Sequence, residues 1–323
     1  MTRTLGRTGL AVSRLGLGLA ALGRPGYITL GHAEDLGRDR SEEALEAHAH
    51  AVLDAAWAAG VRYVDAARSY GRAEAFLSSW LARRGIAPGA LSVGSKWGYT
   101  YTAGWRVDAP KHEVKEHSLA TLERQVQESR ALLGAYLGLY QIHSATRESG
   151  VLEDAGVLDG LARLRDGGLA VGLSLSGAGQ ADTLRRALEV RRGGQPLFAC
   201  VQATWNLLEP SVGPALADAH ASGMGVIVKE VVANGRLTPR NGEPGLAPLR
   251  EAAVQLGASV DAVAVAAALA QPWADVVLSG AATVAQLQSH LSAQALVLPE
   301  RGLEGLAEQP RVYWERRSGL AWN

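Results

Sequence analysis

A (β/α)₈ (TIM) barrel is the fold class that the sequence predicts, and three observations carry it. Eight short apolar runs alternate with longer amphipathic stretches through the 323 residues. Most of the amphipathic stretches end in glycine, the usual stop signal of a helix. No composition break or linker divides the chain, so residues 1–323 read as one domain. An open, doubly wound sheet is the alternative. Its glycine-rich turn, G-x-G-x-x-G after the first strand, does not occur here, because "LGLGLAALG" has another spacing.

The elements follow in order. After the amino-terminal residues the first strand falls in 13–22, "SRLGLGLAAL", and the second in 61–67, "VRYVDAA". "LSVGSKWG" (91–98) and "YLGLYQIHSA" (136–145) supply the third and fourth. "AVGLSLSG" (170–177), "FACVQATWNLL" (198–208), "MGVIVKEVV" (224–232) and "DVVLSGA" (275–281) complete the eight. Near-continuous Val, Leu and Ile content marks strands covered on both faces, as in a parallel sheet. Helical patterns fill the gaps, among them 41–60, 73–85, 117–134, 152–168, 181–194 and 211–223. Ser41 is a fair N-cap for the first, although a full capping box would place the carboxylate one residue after Glu43. Residues 24–40 form a long irregular loop after the first strand, and 146–156 a second after the fourth. Loops of such length commonly serve function. Residues 299–323 form a tail rich in Arg and Trp.

Composition bounds the function classes. Hydrophobic residues at 47% and charged residues at 20% suit an ordinary soluble globular protein with a sizeable core. Thirty-two basic and 32 acidic residues cancel, so no net field favours nucleic acid or an anionic membrane. A single cysteine, Cys200, rules out an internal disulfide and a cysteine-rich zinc site, as expected in a reducing cytoplasm. The amino terminus lacks the apolar run of a signal peptide, and "AVAVAAALAQPW" is too short to span a bilayer. "HEVKEH" (112–117) offers His112 and His117, but at i, i+5 they stand about 140° apart on a helix, so it reads as a polar helix start and no metal site is expected.

In a (β/α)₈ barrel, functional groups sit at the carboxyl ends of strands and in the loops that follow. Those ends deliver Asp65 and Tyr70 after strand two, Lys96 in strand three and His143 in strand four. Only four lysines occur, which makes Lys96 the more informative. The set resembles the catalytic tetrad of the aldo-keto reductase superfamily, in the same chain order. The opening "RTLGRTGLAVSRLGLG" is similar to that family's amino-terminal hairpin and first strand, and "SGAATVAQLQSHL" to its cofactor loop and helix, so the likeness spans the chain. The chemistry suits the residue types. Reducing a carbonyl leaves an alkoxide that needs a proton, and a free phenol, with a pKa near ~10, gives its proton up reluctantly at neutral pH. An ammonium beside it favours the phenolate, and a carboxylate holds the ammonium in place. By resemblance, Tyr70 is the acid–base residue, Lys96 its activator and Asp65 the anchor of Lys96, while His143 orients the carbonyl or shares the proton. Trp97, Tyr99, Tyr101 and Trp105 are expected to line the substrate pocket, with loop 24–40 as a lid.

The resemblance also implies an NADP or NAD cofactor. Ser174 and Gln202 match residues that hold the nicotinamide amide, and Gly280, Thr283 and Gln286 match the last cofactor loop. Other positions depart from the pattern. Leu175 replaces an asparagine, Lys229 stands where an aromatic stacks on nicotinamide, and Glu230 where a serine meets the pyrophosphate. Ala282 replaces a basic or hydroxyl residue at the 2′-phosphate, and His290 an asparagine at the adenine. Losing a charge-assisted contact to the 2′-phosphate weakens the preference for NADP over NAD.

The expected function is an oxidoreductase interconverting a small-molecule carbonyl (aldehyde, ketone or sugar) and an alcohol. Two alternatives stay open. One is a non-redox acid–base enzyme (isomerase, epimerase or lyase) on the same barrel. The other is a non-catalytic cofactor-binding subunit resembling the potassium-channel β-subunits of that superfamily.

Overall fold

Eight parallel strands close into a barrel in the predicted order. They are β1 (Leu15–Gly18), β2 (Tyr63–Asp65), β3 (Ser92–Trp97), β4 (Leu137–Ala145), β5 (Ala170–Leu175), β6 (Cys200–Thr204), β7 (Gly225–Lys229) and β8 (Val276–Ser279), with β8 paired to β1. The structure, a computed structural model, describes residues 2–298 and 302–323, so the first three residues of the Arg- and Trp-rich tail lie outside it. Each strand is followed by a barrel helix: α1 (Glu42–Ala58), α2 (Ala73–Arg84), α3 (Leu119–Leu133), α4 (Ala155–Asp166), α5 (Gln180–Glu189), α6 (Gly213–Ala221), α7 (Val260–Leu269) and α8 (Val284–Ser292). Ser41, Ser118, Asp154, Ser259 and Thr283 cap α1, α3, α4, α7 and α8 by accepting a backbone N–H through their side chains. Each fills one of the open donors of a helix start.

Period-two alternation sets the two faces of each strand. Val64, Val93, Trp97, Ile142, Val201 and Val228 face the helices and join the main core. Tyr63, Leu139, Cys200, Ile227, Val276 and Leu278 fill the barrel interior in a separate cluster. That interior is stoppered from below by Leu5 and Val12 of the amino-terminal hairpin, Thr2–Thr4 paired with Ala11–Ser13. Above the filled layers the interior-facing phase continues into polar residues, and these form the floor of the site.

The strands are shorter than the apolar runs that announce them. β2 covers three residues, yet Ala66 and Arg68 go on donating to the carbonyls of Gly94 and Lys96 at 2.8 and 3.1 Å. The apolar signal overruns each strand because the first residues of the following loop are buried too. The segment 112–117 departs from expectation. It is not a helix start: Glu113–Lys115 is a strand that pairs antiparallel with Tyr99–Tyr101 above the barrel mouth, and α3 begins only after Ser118. Among the described residues, sequence reading missed the short helices His32–Leu36 in loop 24–40, Ala247–Gln255 before α7 and Pro310–Ser318 in the tail, and the hairpin of Arg191–Arg192 with Gln195–Pro196, where 181–194 was read as helical. Among the described residues no single helix is long and apolar enough to cross a membrane.

Candidate active site

Asp65, Lys96, His143, Gln202 and Lys229 all project into the barrel interior at the carboxyl ends of their strands. The Lys96 ammonium is buried and its three donors are used. It pairs in close contact with Asp65, donates to the Ala66 carbonyl at 2.9 Å, and reaches the Tyr70 hydroxyl at 3.3 Å. The other Asp65 oxygen accepts from Gln202 Nε2 at 2.8 Å, Tyr63 Oη at 3.3 Å and Gln141 Nε2 at 3.4 Å. A buried carboxylate with that many partners is fixed in place.

His143 stands edge-on to Tyr70, with ring centroids 5.4 Å apart, and tilted against Tyr99 at 4.9 Å. Its Nδ1 lies 3.4 Å from the Ser69 hydroxyl. A register shift in the β4–β5 pairing falls just beyond it, and Ser144 takes φ 53°, with its N–H bonded to Ser174 Oγ at 2.8 Å. Such irregularities re-aim a side chain beside a functional site. Burial, and then the charges of Lys96, Lys229 and Arg24, push the imidazole well below its ordinary range, so it is neutral.

The lowering of the Tyr70 pKa expected from Lys96 is outweighed. Burial first, and then the Asp65 carboxylate, hold the phenol well above its ordinary value; Arg24 is the leading opposing influence. Asp65 in direct contact compensates the Lys96 charge, so the phenol feels a pair and not a bare cation. Tyr70 rests as a neutral phenol, which is the proton-donating form.

These groups open onto a cavity of about 340 Å³, within the usual range of small-molecule sites. Tyr99, Ser174, Gln202, Lys229 and Gly280 line it as expected, with Tyr70, His143 and Asp65. Five expected residues stand elsewhere. Trp97 is fully buried on the helix side of β3, because one step past Lys96 reverses the face. Trp105 and Tyr101 line a separate small depression with Arg72 and Glu42, and Trp105 Nε1 donates to the Arg40 carbonyl at 2.7 Å. Thr283 is the α8 cap, and Gln286 binds the Ala282 N–H at 2.8 Å and Asp35 at 2.9 Å. His290 is buried between Ser279 (2.7 Å) and Asp261 (3.4 Å). The loop at 146–156 contributes nothing to the cavity wall.

The loop expected as a lid and a tail that sequence reading passed over meet at the mouth. Arg24, Tyr27, Ile28 and Thr29 come from loop 24–40, and Arg317, Ser318, Leu320 and Trp322 from the tail. Arg24 is buried. It donates to Glu113 at 2.5 Å and to the Ser69 carbonyl at 3.0 Å, and lies over the rings of Tyr27, Tyr70 and Trp322 at 4.7–5.2 Å. Trp322 in turn stacks on His112 at 3.9 Å. Arg317 grips both oxygens of Glu230, at 2.8 and 2.5 Å. The length of loop 24–40 and the Arg and Trp content of the tail were the available signals.

Comparison with known proteins agrees with this architecture. Residues 14–308 match the model of the aldo/keto reductase family. A pyridoxal 4-dehydrogenase of Microbacterium luteolum is 29% identical over 270 residues, spanning 75% of this chain and 73% of that protein. A solved Pseudomonas aeruginosa protein, assigned to the aldo-keto reductases, superposes with a TM-score of 0.63 at 26% identity, over 92% of this chain and 95% of the other. An aldo-keto reductase from Bacillus halodurans reaches a TM-score of 0.69 over 98% and 95% of the two chains; at 20% identity that likeness speaks to the fold alone.

Proposed function

This chain belongs to the aldo/keto reductase family and is an oxidoreductase, and from that premise we propose that it interconverts a small-molecule carbonyl and an alcohol with Tyr70 as proton donor and acceptor. One observation carries the reading: Lys96 bonds Asp65 and the Tyr70 hydroxyl at once, behind a cavity wall that Asp65, Tyr70 and His143 form.

The family implies a nicotinamide dinucleotide, and the cavity fits its nicotinamide end. Ser174, Gln202 and Gly280 form a polar wall beside Tyr70, where they would hold a carboxamide and the adjoining ribose. At the last loop, Gln286 Nε2 donates to Asp35 at 2.9 Å, and His48 Nε2 lies 2.5 Å from the Ala282 carbonyl. When bound, the dinucleotide supplies or accepts the hydride.

The chain's own residues do the rest. The neutral imidazole of His143, with Nδ1 next to Ser69, offers its other nitrogen to orient the substrate oxygen. The neutral Tyr70 phenol gives its proton as that oxygen gains charge, and the Lys96 ammonium at 3.3 Å stabilises the phenolate left behind. Loop 24–40 and the tail exclude water, which strengthens each of these interactions. In the reverse direction the phenolate takes the alcohol proton back.

Tyr70→Phe tests the assignment. With NADH or NADPH and a panel of aldehydes, turnover should fall by the ~10²–10⁴-fold typical of a lost general acid, while the melting temperature moves little. A Tyr70→Phe enzyme with near-normal turnover would overturn it. Ala282 offers no charge to a 2′-phosphate, and Asp35 stands beside Gln286, so NADPH should not bind more than about tenfold tighter than NADH in a fluorescence titration.

A further inference from the structure

We propose that Lys229 is an anion-binding, specificity-determining residue, and that the substrate carries one carboxylate besides its carbonyl or alcohol. The proposal rests on the oxidoreductase reading above and adds the class of substrate.

The charges of the cavity pair off with one cation left over. Lys96 pairs with Asp65, Arg24 with Glu113 and Arg317 with Glu230. His143 is neutral. Four cations thus meet three carboxylates, and the excess charge is that of Lys229. Its own neighbour Glu230 is shared with Arg317, which holds it more closely. Arg317 takes both Glu230 oxygens with the planar geometry suited to a carboxylate, whereas Lys229 Nζ stands 3.7 Å away. One Lys229 N–H goes to Thr204 Oγ1 at 2.6 Å, and that hydroxyl donates on to Glu230 at 3.2 Å. The ammonium has three donors, and its side chain lines the cavity. Burial, with the charges of Arg317 and Lys96, lowers Lys229 to about 8 against the support of Glu230. A bound anion relieves that cost.

A carboxylate suits this site better than a phosphate. A single ammonium balances a single charge, and the Glu230 carboxylate close by would repel a second. The residue that frees Lys229 is Arg317, in the tail beyond the family match at residues 14–308.

Benzoate and benzamide, nearly equal in shape and different in charge, are the probes, followed by calorimetry and by quenching of tryptophan fluorescence. At pH 7 wild type should bind benzoate about tenfold or more tighter than benzamide, the scale of one charge-assisted hydrogen bond. Lys229→Gln should bring the two probes to near-equal affinity, and Lys229→Arg should restore part of the difference. Arg317→Met keeps the lysine but frees Glu230 to neutralise it, so it should lose the preference as well. The preference should fade as pH rises above about 8, where the ammonium deprotonates. Equal binding of the two probes to wild type, or a preference that survives Lys229→Gln, overturns the proposal. NADH and NADPH titrations of the same variants separate the sources. If Lys229→Gln weakens the dinucleotide about tenfold and spares the benzoate preference, the anion is a cofactor phosphate and the proposal fails. None of these binding results depends on turnover, so failure of the Tyr70 assignment is seen separately.

Discussion

Gly94 serves the site through the side chain it lacks. A Cβ there would fall 2.2 Å from the Tyr63 hydroxyl, which uses that space to reach Asp65. Gly94→Ala should push Tyr63 aside and destabilise the protein by about 1–3 kcal/mol, read from urea denaturation; an unchanged midpoint would show that the barrel interior yields. Lys96→Met tests more than catalysis. It leaves Asp65 buried without its ion-pair partner, a change worth about 3–5 kcal/mol. Its activity loss should therefore come with a clear fall in urea midpoint, whereas Tyr70→Phe should not shift that midpoint. Equal midpoints for the two variants would argue against the pairing. At this scale the meeting of Asp65, Lys96 and His143 at the barrel mouth was legible in the sequence, because each stands at the end of an apolar run. Trp97 was misplaced because side chains one residue apart on a strand face opposite ways.

The contact between β7 and the tail helix makes a pH prediction. Arg317 and Lys229 hold Glu230 down at about 2 despite burial. A carboxyl depressed in the folded state adds stability above its unfolded pKa, near 4.5, and that stability is lost as pH falls toward 2. The shift amounts to roughly 3 kcal/mol at 1.36 kcal/mol per unit. Between pH 4.5 and 2, Glu230→Gln should lose less stability than wild type in acid titrations followed by circular dichroism, although it starts lower because Arg317 loses its partner. Parallel curves for the two proteins would remove Glu230 from the account. The strand could be read from "MGVIVKEVV", but its partner lies 87 residues further on. Local pattern carries no information about which cation meets which carboxylate.

Across the whole molecule, the mouth of the barrel is closed by segments from both ends of the chain. Asn323 exchanges backbone hydrogen bonds with Tyr27 at 3.2 and 3.3 Å, and its side chain binds the Ala33 N–H and the Thr29 carbonyl. Arg240 joins Asp35, and the Asn234 carbonyl accepts from Leu30 N–H, tying the same loop to the segment after β7. Deleting residues 319–323 keeps the tail helix and removes the Asn323 clamp. Amide exchange at Tyr27 and Ala33 should then quicken by about tenfold or more while barrel-strand amides hold their protection. Unchanged exchange in the loop would mean that Arg240 and Asn234 hold it unaided.

What the sequence determined was whatever repeats along the chain or sits at a fixed phase of it: eight strands, their helices, and the groups at the strand ends. Burial on both faces writes itself as an apolar run, and the end of each run marks the barrel mouth. Only the tertiary structure decided that the tail joins loop 24–40 over that mouth and how the charges there pair. Arg24 meets Glu113, Arg317 meets Glu230, and Lys229 is left facing the cavity. These outcomes depend on distances between segments far apart in sequence, where electrostatics acts through space and no periodicity records it.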